Sequence, residues 1–155
     1  KEVATLLKEK GINVKGVISP AIIERGVKVG IDLLNLATGE RQTLARLAQP
    51  TDRIRTPRWG FCDEVIAWGN EIFETSTPCD VLVVDELGPL ELICGEGWQQ
   101  GLKAIDSGDF RLALIVIRPA LLQLASKKWP DVEVVNIEPF LNPIPFVDKS
   151  LQTHF

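Results

Sequence analysis

A chain of 155 residues, 45% hydrophobic and 25% charged, is long enough for one domain with a proper core and has the balance of an ordinary globular protein. Its formal charge of -4 argues against nucleic acid or an anionic membrane surface as the main partner, and its longest apolar run, Leu112 to Ile117, is far too short to span a bilayer. Cys62, Cys79 and Cys94 are widely spaced and His154 is the single histidine, so reduced cysteines in a cytoplasm are expected rather than a zinc site.

The first predicted element is a helix over 2–10, where Val3, Leu6 and Leu7 form an apolar stripe and Gly11 is a natural stop. A strand follows from Ile12, ended by Pro20. Residues 27–36, V-K-V-G-I-D-L-L-N-L, read as a second strand. Thr38-Gly39-Glu40 is a turn, and Arg41 to Leu47 return as its hairpin partner. Residues 49–60 read as a loop. The stretch 61–73 is helical in pattern, anchored by Val65, Ile66, Trp68, Ile72 and Phe73. Val81 to Asp85 do not alternate, so that strand is expected to be buried on both faces. A helix over 98–105, a second continuous apolar strand over 112–117, and a helix from Pro119 to about Lys127 come next. V-E-V-V-N-I at 132–137 reads as a last strand, and the segment with Pro139, Pro143 and Pro145 as a surface tail.

Helices alternating with non-alternating apolar strands predict an α/β fold around a mostly parallel sheet, with an antiparallel hairpin added to it. The informative segment is V-L-V-V-D-E-L-G-P-L-E-L, residues 81–92. In open parallel sheets, ligands bind beyond the carboxyl ends of the strands. The apolar run delivers Asp85 and Glu86 to such an end, and adjacent residues there can take different roles. Asp85 suits a hard, hydrated ion such as Mg²⁺, and Glu86 suits a general base for water attacking a γ-phosphorus. Gly88 allows the backbone to bend or to pass close to a ligand. Arg118 follows the second apolar strand, where a cation could meet phosphate oxygens. The plainer alternative makes Asp85 a turn cap, and Glu86 and Arg118 solvated residues.

Together with K-G-V-I-S-P at 15–20 and G-V-K-V-G-I-D-L-L-N-L-A-T-G at 26–39, this segment resembles the small P-loop nucleoside-triphosphatase family that includes the cancer-related nucleoside triphosphatase. The resemblance runs from the first helix to the strand at 132–137, and D-E-L-G-P-L-E-L is its specific part, similar to the family's Walker B segment. It implies a P-loop NTPase-like three-layer fold and Mg²⁺-dependent hydrolysis of nucleoside triphosphates with loose base selectivity. It also implies nucleotide contact over Val81, Leu82, Val83, Val84, Asp85, Glu86, Leu87 and Gly88, with Asp85 the metal-linked acid and Glu86 the catalytic one. Two departures stand out. No G-x-x-x-x-G-K-[ST] occurs among the 155 residues, and no methionine, not even at position 1. Residues 1–155 are therefore expected to form a single domain lacking its first strand and Walker A loop, which belong upstream of Lys1. The second departure lies around the hairpin, where Ile23, Val27, Lys28 and Ile31 stand in place of the family's arginine and aromatic residues.

Two other functions fit parts of the sequence. A small P-loop kinase would use an arginine-rich lid, for which Arg41, Arg46, Arg53, Arg55 and Arg58 are candidates. A non-catalytic interaction domain would use Trp59, Trp68, Trp98 or Trp129, although aromatics at helical positions are more often core. A monomer or weak oligomer, with neither nucleic acid nor membrane as partner, is expected.

Overall fold

The computed structural model describes residues 2–136. Helix α1 (Glu2–Glu9) leads into β1 (Val14–Ile18), β2 (Ala21–Glu24), β3 (Val27–Asn35), β4 (Arg41–Leu47) and β5 (Trp59–Phe61). Helix α2 (Asp63–Glu74), strand β6 (Cys79–Leu87), a single wide helical turn at Leu90–Cys94, α3 (Gln99–Ser107) and β7 (Phe110–Ile117) follow. Pro119–Leu121 make a tight turn into α4 (Leu122–Lys128).

All seven strands join one curled sheet in the order β5-β4-β3-β1-β6-β7, with β2 on the flank of β3. The α/β fold is the one expected. The sheet is mixed rather than mostly parallel: β1-β6-β7 pair in parallel, whereas β1-β3, β2-β3, β3-β4 and β4-β5 pair antiparallel, because the chain turns back on itself through short connections after β1. Strand β3 pairs with β4 on one side. On the other it pairs with β1 through Asn35 and Leu34, and with β2 through Ile31 to Val27. Strands β1 and β2 thus share one edge of β3 and are separated only by Ser19 and Pro20. Proline has no N–H to give a ladder, and this break lies beside the carboxyl end of β6.

Two apolar layers flank the sheet. On one face Leu82, Val84 and Leu87 of β6 pack with Val17, Ile31, Leu33, and with Ile66 and Phe73 of α2 and Ile105 of α3. On the other, Val81 and Val83 pack with Val14, Ile18 and the α1 residues Ala4 and Leu7. A strand covered on both faces has no polar side to present, which is why 81–84 do not alternate. Of the tryptophans, Trp59 and Trp98 are core residues.

One expected strand is corrected: residues 132–136 make no ladder, and Ile137 and the proline-rich tail lie outside the described residues. Strand composition at Val132, Val134 and Val135 is insufficient without a neighbour to pair with. An apolar groove separates this segment from β7, lined by Ala113, Ile115, Ile117, Leu122, Val132 and Val134. Val116, Val132 and Val134 remain largely exposed, and β6 is the only strand that pairs with β7 among the described residues.

Candidate active site at the end of the sixth strand

Parallel pairing of β6 with β7 is regular up to Val84 opposite Ile115 and resumes at Leu87 opposite Ile117. Strand β6 therefore takes three steps where β7 takes two, which is a bulge, and the extra residue lies in Asp85-Glu86. Glu86 has φ +58°, a left-handed backbone that non-glycine residues rarely adopt. Regular alternation would have put Glu86 on the same face as Leu82 and Val84. The bulge places Leu87 there instead, fully buried, and frees Glu86 from the core.

Each carboxylate then has its own surroundings. Oδ2 of Asp85 accepts the backbone N–H of Ser19 at 2.7 Å, which ties the β1–β2 break to the tip of β6. Oε2 of Glu86 lies 3.8 Å from Nη2 of Arg118, the residue that follows β7. Both side chains are substantially exposed, so this pair orients more than it stabilises.

A third acid closes the loop behind them. Glu91 is buried in the wide turn, accepting the Gly88 N–H at 2.8 Å on Oε2 and the Trp98 N–H at 3.1 Å on Oε1. Gly97 is required beside it: its φ is +67°, and a Cβ there would stand 1.9 Å from Oε1 of Glu91. The amide of Asn70 on α2 holds the far side of the loop, donating to the Gly97 carbonyl at 2.9 Å and accepting the Gln100 N–H at 2.9 Å. Trp98 packs against Phe73 with the rings tilted by 60° and their centres 6.1 Å apart, and against the small surface of Gly69.

Burial pushes the Glu91 carboxyl above the usual carboxylate range, although the two N–H donors and its own backbone pull it down. A raised folded-state value contributes stability that is fully present below the unfolded-state pKa and is lost as pH rises through the folded one. Wild-type stability relative to Glu91→Gln should thus fall as pH rises from about 4.3 through the raised value, then level off. Denaturant titrations of both proteins across that range check this, and parallel curves would show that Glu91 does not titrate there.

Glu86, Gly88, Glu91, Arg118 and Ser19 line one cavity of about 200 Å³, whose far wall is the apolar set Ile31, Leu44, Phe61, Ile66, Leu90 and Trp98. Ser19 is 8% exposed, and its hydroxyl has no hydrogen-bond partner in the protein.

The structure brings together Asp85, Glu86, Gly88 and Arg118 among the residues singled out from sequence. Val81 to Val84 and Leu87 are core residues that hold the strand end in place. Sequence reading did not pick out Ser19 or Glu91. For Glu91 a signal existed, since it is a lone acid amid Leu90, Leu92, Ile93 and Cys94, a setting that demands partners. For Ser19 the signal was its place before a strand-ending proline.

Of the five clustered arginines, none lines this cavity. Arg41 pairs with Asp32 at 3.2 Å, Arg46 grips Asp52 with both nitrogens, and Arg53 pairs with Asp63. Arg55 bonds the Gln49 carbonyl and Arg58 lies over Trp59.

A sheet covered on both faces, with its central parallel strand β6 ending in adjacent carboxylates, is the framework of a P-loop-like α/β fold. The chain belongs to the NTPase family, whose model matches residues 1–140. It is similar to the nucleoside-triphosphatase THEP1 of Methanopyrus kandleri, 35% identical over 92 residues that make up 59% of this chain and 50% of that one. The protein of the same name from Methanothermobacter thermautotrophicus is 28% identical over 137 residues, 86% of this chain and 75% of its own. The solution structure of a human cancer-related nucleoside triphosphatase shares the fold, with a TM-score of 0.72 at 20% identity, covering 98% of this chain and 88% of that one. The matched part spans 50% to 62% of the first curated relatives' own length.

Proposed function

We propose that the protein hydrolyses nucleoside triphosphates to diphosphate and phosphate, with little discrimination among bases. The observation that carries this reading is Glu86, turned out of the core by a bulge and placed 3.8 Å from Arg118 at the carboxyl end of a parallel sheet. Glu86 takes the proton of the attacking water. The water oxygen bonds to the γ-phosphorus, the bond to the β–γ bridging oxygen breaks, and the diphosphate leaves with that electron pair. Arg118 faces the charge spread over the phosphoryl oxygens. The passage beside them is open at Gly88, where even a Cβ would meet nothing nearer than Oε2 of Glu91 at 3.6 Å.

Asp85 is the residue that would hold Mg²⁺, and the donors fit that ion. One carboxylate at a strand end, with no cluster of three or more His, Cys, Asp or Glu among the described residues, suits a metal that draws most ligands from water and phosphate. When bound, it supplies charge neutralisation at the phosphates. Three unpaired cysteines support a cytoplasmic setting. Among the described residues no helix is long and apolar enough to cross a membrane.

The grip on the β- and γ-phosphates is assigned in this reading to a glycine-rich loop on a strand preceding α1. The groove between β7 and residues 132–136 supports it: a parallel strand laid there would end on the same side as Asp85, Glu86 and Arg118, and would give 132–136 a neighbour. The test is phosphate release from ATP or GTP with no acceptor present. Turnover is expected from a chain carrying that loop, and far less from residues 1–155 alone. Turnover only when a phosphate acceptor is added would replace hydrolase by kinase, a reading that the arginines engaged away from the cavity do not favour.

A further inference from the structure

Among the buried polar atoms near the cavity, the hydroxyl of Ser19 stands apart. Nearly every buried hydroxyl in a folded protein has a partner, because leaving one unpaired costs about 1–3 kcal/mol. Here the backbone N–H of Ser19 is committed to Asp85 at 2.7 Å, and Pro20 restricts Ser19 itself to extended geometry. Ser19, 8% exposed, thus lines the cavity that Glu86 lines, and its hydroxyl is held buried and without a partner next to the strand-end acids.

We infer that Ser19 is a positioning residue for the nucleophilic water: its hydroxyl provides the second hydrogen bond that, with Glu86, fixes the direction of attack. This rests on the hydrolase reading above. A water held by the Glu86 carboxylate alone can still rotate about that bond. A second contact to a group that both donates and accepts aims its remaining lone pair at the phosphorus. Of the other polar side chains lining the cavity, Thr56 and Glu91 are engaged by backbone groups and Arg118 faces Glu86 itself, so Ser19 and Glu86 are a natural pair for one small polar molecule. The retained cost of a buried, unpaired hydroxyl is the mark of a group kept for a bound species rather than for the fold.

The test compares wild type with Ser19→Ala and Glu86→Ala, each in the chain that carries the phosphate loop, by steady-state phosphate release and thermal unfolding. Ser19→Ala is expected to lower kcat about 10-fold, to leave KM within about twofold, and to leave Tm unchanged or raised. A kcat equal to wild type overturns the inference, as does a loss confined to KM. A fall in kcat together with a fall in Tm also overturns it, since that is the behaviour of a structural hydroxyl. The underlying reading fails separately, if wild type releases no phosphate or if Glu86→Ala is as active as wild type.

Discussion

Glu86→Ala should lower phosphate release at least about 100-fold, with the fold intact. The large effect follows from the assigned role, because removing the base leaves the attacking water with no group to take its proton at the strand end. The small structural effect follows from the surroundings. The Glu86 side chain is 38% exposed and its contact with Arg118 is long, so little packing or ion-pair energy is lost. Both glutamate and alanine have a Cβ and bear the left-handed backbone at similar cost. Glu86→Gly removes that cost and should gain about 1 kcal/mol of stability while being equally inactive. Phosphate release and chemical denaturation of the three proteins separate these effects. An alanine variant retaining a tenth or more of wild-type turnover would show that Glu86 is not the base.

Gly16→Ala should cost about 3 kcal/mol or more of folding stability, enough to populate the unfolded state at ordinary temperatures. Gly16 lies in the middle of β1, opposite Val83 of β6, and a Cβ there would stand 2.0 Å from the Val83 carbonyl oxygen. That atom is backbone in the most buried strand of the sheet, so rotamer changes cannot relieve the clash, and β1 would have to part from β6. The backbone at Gly16 adds to the cost, because φ is +101°. Activity should fall along with stability, since Ser19, which donates the hydrogen bond to Asp85, directly follows β1. Thermal unfolding followed by circular dichroism measures the effect, and a variant melting within a few degrees of wild type would show that the two strands are less tightly coupled than their spacing indicates.

What could be read from sequence was governed by burial and regular period. Val81 to Val84 announce a strand covered on both faces, and Val65, Ile66, Ile72 and Phe73 a helix lying on one of them, because apolar spacing directly reflects those environments. The carboxylates were legible for the same reason, as the first polar residues after a buried run. Local exceptions were not. Strand β2 is short and mostly exposed, β5 is three residues long, and neither has an apolar period to detect. A left-handed glutamate has no compositional signature, since glycine or asparagine is the usual sign of that backbone. The opposite error came at 132–136, where strand-forming residues lie without a partner to complete a ladder. Pairing is a property of two segments, and one segment's composition reports only half of it.

The bulge at Asp85-Glu86 also bears on how such a strand can change. In a regular strand every residue has a parity, and a polar residue on the even side displaces a core side chain. The extra residue in β6 resets that count between Val84 and Leu87, so the acids and the apolar residue after them are no longer bound to the same alternation. The core therefore places little demand on the side chain at position 86, and the two residues between Val84 and Leu87 are one more than the buried alternation needs. Substitution there is a matter for chemistry, and deletion of one of the two acids would restore a regular ladder with Leu87 still facing the interior, removing the bulge that frees a carboxylate from the strand's alternation.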